Sequence, residues 1–313
     1  MARKVILDLD TGIDDALALV YALASPELEL IGVTGTYGNV LVETGVRNAL
    51  AILELFGRGD VPVFAGPQKP GFEVLEISSF IHGSNGVGEA VLPDPRGRVQ
   101  EDGAVEFLLR SVREHGDDLV IVPTGPSTSV AAAVEADPFF AENAHIVMMG
   151  GALTVPGNIK HWAEVNIHQD PEASDLLFRR CRDVTMIGLD VTLQTLLTYQ
   201  ETAVWRELGT ARGTFLADAA DYYIRSYEKF DPDLGGCGLH DPLAVAVAAD
   251  PTLVDTVDIN MMVDTDGPTR GRSIGDHTRL NDPVKTSRVA IGVDVERFLG
   301  EFMSRLTSLA GER

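Results

Sequence analysis

Val5 to Leu9 is an apolar stretch of strand length interrupted only by Asp8, and Ala16 to Ala24 is a run that is apolar on nearly every face. A buried strand feeding a buried helix belongs inside an α/β sheet rather than at its margin. Four aspartates, Asp8, Asp10, Asp14 and Asp15, stand at the junction, and no lysine or arginine occurs between Lys4 and Arg47. In a low-dielectric site such carboxylates repel one another strongly unless a positive charge sits among them. The simplest missing charge is a metal ion, and an all-oxygen ligand set favours a hard one, Ca²⁺ or Mg²⁺. Gly12 offers the sharp turn that lets carboxylates on both sides of it converge. The competing explanation is that Asp14 and Asp15 complement the positive end of the helix dipole while Asp8 and Asp10 are solvated at a strand end.

The segments that follow alternate in the same way. Leu28 to Tyr37 reads as a strand, Val40 to Phe56 as a helix capped at Gly57, and Val61 to Ala65 as a strand. A Gly- and Pro-rich stretch, residues 67 to 102, breaks the rhythm, and a long loop in a compact α/β protein is more often functional than idle. His82 stands out within it, although a lone loop histidine is usually solvated. Beyond it the pattern predicts a helix over Ala104 to His115, strands over Leu119 to Pro123 and His145 to Met149 with the helix Ser127 to Ala136 between them, a helix from Pro171 to Arg180, and a strand over Val184 to Leu189. One or two helices follow over 200 to 230, where Tyr222, Tyr223 and Tyr227 cluster in a pattern usually due to packing. Val257 to Val263 alternates as one strand, Val289 to Val293 reads as another, and Val295 to Leu309 gives a last helix with one apolar face. The fold expected is one α/β domain over residues 1–313, with a mostly parallel central sheet flanked by helices.

Composition excludes several roles. A formal net charge of -22 argues against nucleic acid or an anionic membrane as partner. The two cysteines, Cys181 and Cys237, have no metal-binding spacing and suggest no disulfide framework. The beginning of the chain has a faint signal-peptide character that Asp8 and Asp10 interrupt, and no apolar run reaches membrane-spanning length. A cytoplasmic protein is expected.

Further polar groups lie at strand ends and loops: Gly38-Asn39, Thr124-Gly125, Gly157-Asn158, Glu164-Val165-Asn166 and His240-Asp241-Pro242, the last repeating an acid beside the start of a buried helix. Asp8-x-Asp10-x-Gly12-x-Asp14-Asp15 followed by these groups in this order resembles the inosine-uridine preferring nucleoside hydrolase family over about Lys4 to Val295. The resemblance implies a nucleoside hydrolase-like fold with a Rossmann-like core, and Ca²⁺-dependent hydrolysis of ribonucleosides to ribose and free base. It implies Asp10, Asp15, the Thr124 carbonyl and Asp241 as Ca²⁺ ligands, with Asp10 also the base that takes a proton from water and Asn39 orienting that water. Asp14 and Asn166 would hold the ribose hydroxyls, Asn158 and Glu164 the 5′-hydroxyl, and Asp8 would support the others from behind. His240 would be the general acid, since a histidine can hold a proton near neutral pH, and His82, Tyr223 and Tyr227 would line the base site. A homodimer or homotetramer with a small nucleoside as its substrate is expected from the family.

Departures from the family pattern are Thr11 in place of a usual proline, Val165 in place of a frequent aromatic residue, and Trp162 and Trp205 away from the positions used for base stacking. Two rival functions share parts of the pattern. Asp8-Leu9-Asp10-Thr11 also resembles the nucleophile motif of haloacid dehalogenase-type phosphatases, in which Asp8 would attack and Mg²⁺ would be the metal. A non-catalytic calcium- or nucleoside-binding protein would keep the same acids without turnover.

Overall fold

In a computed structural model that describes residues 2–312, β1 (Arg3–Leu9) feeds α1 (Ile13–Ala24), followed by β2 (Leu28–Gly35), α2 (Val42–Leu55) and β3 (Val63–Ala65). Next come α3 (Glu76–His82), α4 (Ala104–His115), β4 (Leu119–Pro123), α5 (Thr128–Ala136), α6 (Pro138–Asn143) and β5 (His145–Met149). The short α7 (Val165–Gln169) and α8 (Pro171–Arg180) lead to β6 (Asp183–Ile187), α9 (Leu189–Thr192) and β7 (Leu196–Leu197). Two helices, α10 (Tyr199–Glu207) and α11 (Ala211–Phe230), precede β8 (Cys237–Gly238) and α12 (His240–Ala249). The chain closes with β9 (Val254–Ile259), β10 (Met261–Val263), β11 (Ser273–Gly275), β12 (Ser287–Val293) and α13 (Val295–Gly311).

Eight strands form the main sheet in the order β3-β2-β1-β4-β5-β6-β12-β9. Every neighbouring pair is parallel except β12 with β9. Alternation along β1 explains the layers on both faces. Val5, Leu7 and Leu9 enter one apolar core with residues of α1, α2, α11, α12 and α13. Ile6 enters a second core with residues of α4, α5, α6 and α8. The strand order reverses between β1 and β4, and a crevice outside the carboxyl ends of parallel strands opens at such a switch point. Asp8 pairs with Thr34 of β2 and Pro123 of β4, so the residues that follow all three strands meet there.

Several local expectations need correcting. The stretch 67 to 102 is not only loop: α3 forms inside it, and His82, its last residue, is buried rather than solvated. Val257 to Val263 is not one strand. Buried Asn260 interrupts it, its side chain donating to the carbonyls of Arg279 and Val284 and accepting from the amide of Thr286, so β9 joins the main sheet while β10 pairs with β11. The strand Val184 to Leu189 stops at Ile187, because Gly188 opens α9. The turn at residue 12 also differs in kind. Gly12 has an ordinary φ of -81°, and the left-handed residue is Thr11, at φ 32°. A non-glycine residue in that region is strained and held by its surroundings; the Thr11 hydroxyl donates to the carbonyl of Gly45. Gly12 is required by crowding instead, since a Cβ there would lie 2.6 Å from Nδ2 of Asn39 and 2.7 Å from Nδ1 of His82.

Candidate active site

The turn after β1 gathers the carboxylates. Asp8 and Asp10 flank Leu9 and are fully buried. Asp8 Oδ1 accepts from the Thr34 hydroxyl at 2.6 Å, while its Oδ2 is buried without a partner. Burial raises the Asp8 carboxyl to about 7. Asp10 Oδ2 accepts from the Asn39 amide at 2.7 Å, and Oδ1 is buried and unpartnered. Gly38 and Gly125 press on this carboxylate so closely that a Cβ at either would come within 2.8 Å of it. Burial, and next the charge of Asp15, raise the Asp10 carboxyl well above the usual range.

The first turn of α1 supplies Asp14 and Asp15, both buried. Asp15 Oδ2 accepts from the Gly12 amide at 2.7 Å and Oδ1 from the Thr124 hydroxyl at 2.7 Å. Asp14 Oδ1 is buried and unpartnered, and burial followed by the charge of Asp15 raises its carboxyl to about 8. Asp241, in the first turn of α12, brings a carboxylate oxygen that lies with those of Asp14 and Asp15 within 4.8 Å of one another. Orphaned carboxylate oxygens and acids pushed toward protonation describe a site built for a cation. No lysine or arginine lines the cavity above it, so a hard divalent ion fits the donor set.

That cavity and its open mouth together span about 590 Å³ of space between atoms. Asp14, Asn39, Thr124, Asn158, Glu164, Asn166 and Asp241 make its polar side. Ile77, Ile81, His82, Tyr223, Tyr227 and Phe230 make its apolar side. Asp8, Asp10 and Asp15 are not among the lining residues and lie behind it, and neither Trp162 nor Trp205 is among them.

Some expected ligand contacts are already occupied within the chain. Glu164 caps α7, its oxygens accepting from the amides of Asn166, Gly151 and Ile167, so it shapes the wall as well as facing the cavity. Asn158 Oδ1 accepts from the Val165 amide at 3.0 Å. Asn166 Nδ2 donates to the Thr124 carbonyl at 2.6 Å, which fixes the carbonyl expected to face a metal.

At the aromatic end, the ring centroids of His82 and Tyr223 are 5.2 Å apart and those of Tyr223 and Tyr227 are 5.0 Å apart. The Ile13 amide donates to His82 Nδ1 at 3.1 Å, so the ring is neutral with its hydrogen on Nε2, and burial lowers its pKa to about 3. His240 Nε2 lies 2.8 Å from the Tyr227 hydroxyl and Nδ1 lies 2.7 Å from the Thr192 hydroxyl. Burial lowers the His240 pKa to about 4, which works against its expected role as a proton donor near neutral pH. Tyr223 and Tyr227 do both jobs open to such a cluster: they are buried against neighbours and line the cavity.

His240 and Val165 also line the cavity, and Ile77, Ser78, Ile81, Met149, Ile159 and Phe230 do so without having been assigned a role from sequence. Ile77 and Ile81 stand four apart, so a helical reading of 76 to 82 was the signal available for them. Thr192 carried none, since its partner is 48 positions away.

A family model described as inosine-uridine preferring nucleoside hydrolase matches residues 5–300. The chain is 36% identical over 308 residues, 98% of its length and 99% of the relative's, to the pyrimidine-specific ribonucleoside hydrolase RihA of Shigella boydii. A solved purine-preferring ribonucleoside hydrolase from Gardnerella vaginalis superposes with a TM-score of 0.97 at 61% identity, covering 99% of each chain. The plant nucleoside hydrolase PpNRh1 superposes with a TM-score of 0.90 at 34% identity, covering 98% of this chain and 100% of that one.

Proposed function

The chain belongs to the inosine-uridine preferring nucleoside hydrolase family, and we propose that it hydrolyses the N-glycosidic bond of ribonucleosides with Ca²⁺, favouring purine nucleosides. The observation that carries the metal requirement is the buried acid cluster: Asp14, Asp15 and Asp241 share one small volume, Asp10 and Asp14 each keep an orphaned oxygen, and no lysine or arginine lines the cavity. Asp10, Asp15, Asp241 and the Thr124 carbonyl would hold the ion. When bound it lowers the pKa of water and offsets the carboxylate charge.

The chain's own groups then divide the work. Asp10 takes a proton from the attacking water, whose oxygen bonds to the anomeric carbon, and Asn39 orients that water. The electron pair of the broken bond to nitrogen stays on the base. Positive charge grows on the sugar as in glycoside hydrolysis, and the surrounding carboxylates and amide oxygens stabilise it. Asp14 and Asn166 hold ribose hydroxyls, and Asn158 with Glu164 takes the 5′-hydroxyl. The departing base takes its proton from the bonded pair His240 and Tyr227, with His240 the donor expected from the family. The proton on Asp10 returns to the His240–Tyr227 pair through solvent after the products leave, so the net change is one water added. His82, with Nε2–H as its free donor, and Tyr223 line the base.

Asp8 is a poor phosphatase nucleophile, since it is fully buried, bonded to Thr34 and away from the cavity lining. Purine preference rests on the 61% identity to a purine-preferring relative against 36% to a pyrimidine-specific one. Cytoplasmic location is supported by two buried free cysteines; among the described residues no helix is long and apolar enough to cross a membrane. A homodimer or homotetramer is the assembly proposed from the family. The functional test is ribose release from inosine, adenosine, guanosine, uridine and cytidine. A higher kcat/KM for the purines is expected; higher values for uridine and cytidine refute the preference, and no release from any of the five refutes the activity.

A further inference from the structure

Thr192 lies at the end of α9 and is completely buried. Its position relative to His240 is held by backbone. The Thr192 amide donates to the Gly188 carbonyl, the Thr195 hydroxyl donates to the Thr192 carbonyl, and the Leu239 amide donates to the Thr195 carbonyl at 2.8 Å. Residues 192 and 240 are thereby strapped together through Thr195, immediately ahead of α12.

Three polar groups in line, Thr192 Oγ1, the His240 ring and Tyr227 Oη, share two hydrogen bonds of 2.7 and 2.8 Å. Ring nitrogens and hydroxyls can each donate or accept, so both bonds form whichever ring nitrogen carries hydrogen. His240 and Tyr227 line the cavity, and Thr192 stands behind them, outside the lining. Removing the Thr192 hydroxyl would leave Nδ1 buried without its partner and release the ring from the orientation that brings Nε2 to Tyr227, the expensive choice for a buried polar group.

We infer that Thr192 is a positioning residue for the leaving-group end of the site: its hydroxyl, bonded to Nδ1, holds the His240 ring so that Nε2 meets the Tyr227 hydroxyl at the cavity wall. The inference rests on the hydrolase reading above and adds to it a residue that never touches substrate.

The test compares Thr192→Val, which keeps the shape and removes the hydroxyl, with Thr192→Ser, which keeps the hydroxyl. Two substrates are used, inosine and 4-nitrophenyl β-D-ribofuranoside. The second leaves as a stabilised phenolate and needs no proton, yet engages the same ribose and water-activating groups. Thr192→Val should lose roughly ten- to hundredfold in kcat on inosine, within the range of general-acid effects, with little change in KM. It should hydrolyse the nitrophenyl riboside at close to the wild-type rate, and Thr192→Ser should recover most of the loss on inosine. Equal losses on both substrates would mean a merely structural role and overturn the inference, as would an unchanged kcat on inosine. Ribose release by the wild type from neither substrate would overturn the hydrolase reading and this inference with it.

Discussion

Replacing Gly38 by alanine would put a methyl carbon 2.0 Å from Oδ2 of Asp10 and 2.9 Å from Cδ of Pro126. Contacts under 3.0 Å are essentially never tolerated by a Cβ, so the carboxylate must retreat by about 1 Å. Retreat is blocked on the other side, where Gly125 packs against Asp10 so closely that a Cβ there would lie 2.8 Å from its Cγ. The backbone can yield instead, but that breaks the 2.7 Å bond from the Asn39 amide to Oδ2, worth about 1.5–3 kcal/mol for a charged acceptor. Overpacking of this kind costs about 1–3 kcal/mol, which lowers Tm by roughly 2–5 °C in a chain of this length. The effect on turnover should be larger, because a misplacement of about 1 Å at a reacting group costs about 100-fold. Gly300→Ala is the control: nothing lies within 4 Å of a Cβ there, and its place inside α13 makes alanine neutral or slightly stabilising. The assay is kcat/KM for inosine with a thermal melt of each variant. Near-normal kcat/KM for Gly38→Ala, with Tm matching Gly300→Ala, would refute the assignment of Asp10 to the reacting centre.

Asp10→Asn should lower kcat by about 10²–10⁴ while the fold survives, since Oδ1 can still accept where Oδ2 does now; near-normal turnover would remove Asp10 as the base. Asp8 and Asp14, raised by burial to about 7 and about 8, favour the folded state most when protonated, and that contribution is lost as pH rises through those values. Above about pH 6.5 histidine is neutral in both the folded and the unfolded chain, so chelator-treated protein should lose Tm steadily from there to about pH 9. Added Ca²⁺ should raise Tm more at the alkaline end than at the acid end, and a pH-independent gain in a calorimetric melt would contradict the cluster's electrostatics. Tyr227→Phe should cut kcat on inosine far more than on 4-nitrophenyl riboside; equal loss on both would take the tyrosine out of the leaving-group role.

Much of the frame was legible because local signals and burial agree. The helix Ala104–His115 and the strands Leu119–Pro123 and His145–Met149 lie where their apolar patterns set them. Pro171 one position into α8, with the Asp170 side chain capping it, marks a start that needs no tertiary context. The turn after β1 was readable for a different reason: four acids without a nearby cation are costly anywhere but beside an ion or in water, and all four are buried. What escaped reading depends on contacts across the chain. Val257 to Val263 alternates like one strand, and only the hydrogen bonds of Asn260 to residues 279, 284 and 286 divide it. The seven residues of α3 were hidden by the Gly- and Pro-rich segment around them, and His82 becomes buried only when that helix docks. The tautomer of His82 follows from the Ile13 amide, 69 positions away, and the bonds that hold the His240 ring come from Thr192 and Tyr227, 48 and 13 positions away.

Calcium titration of chelator-treated protein, read as ribose released from inosine, tests the account most directly. No release in chelator and a saturable return of activity as the ion is added, lost in Asp15→Asn and Asp241→Asn, is the result the buried acid cluster predicts. Full ribose release in the presence of chelator would contradict it.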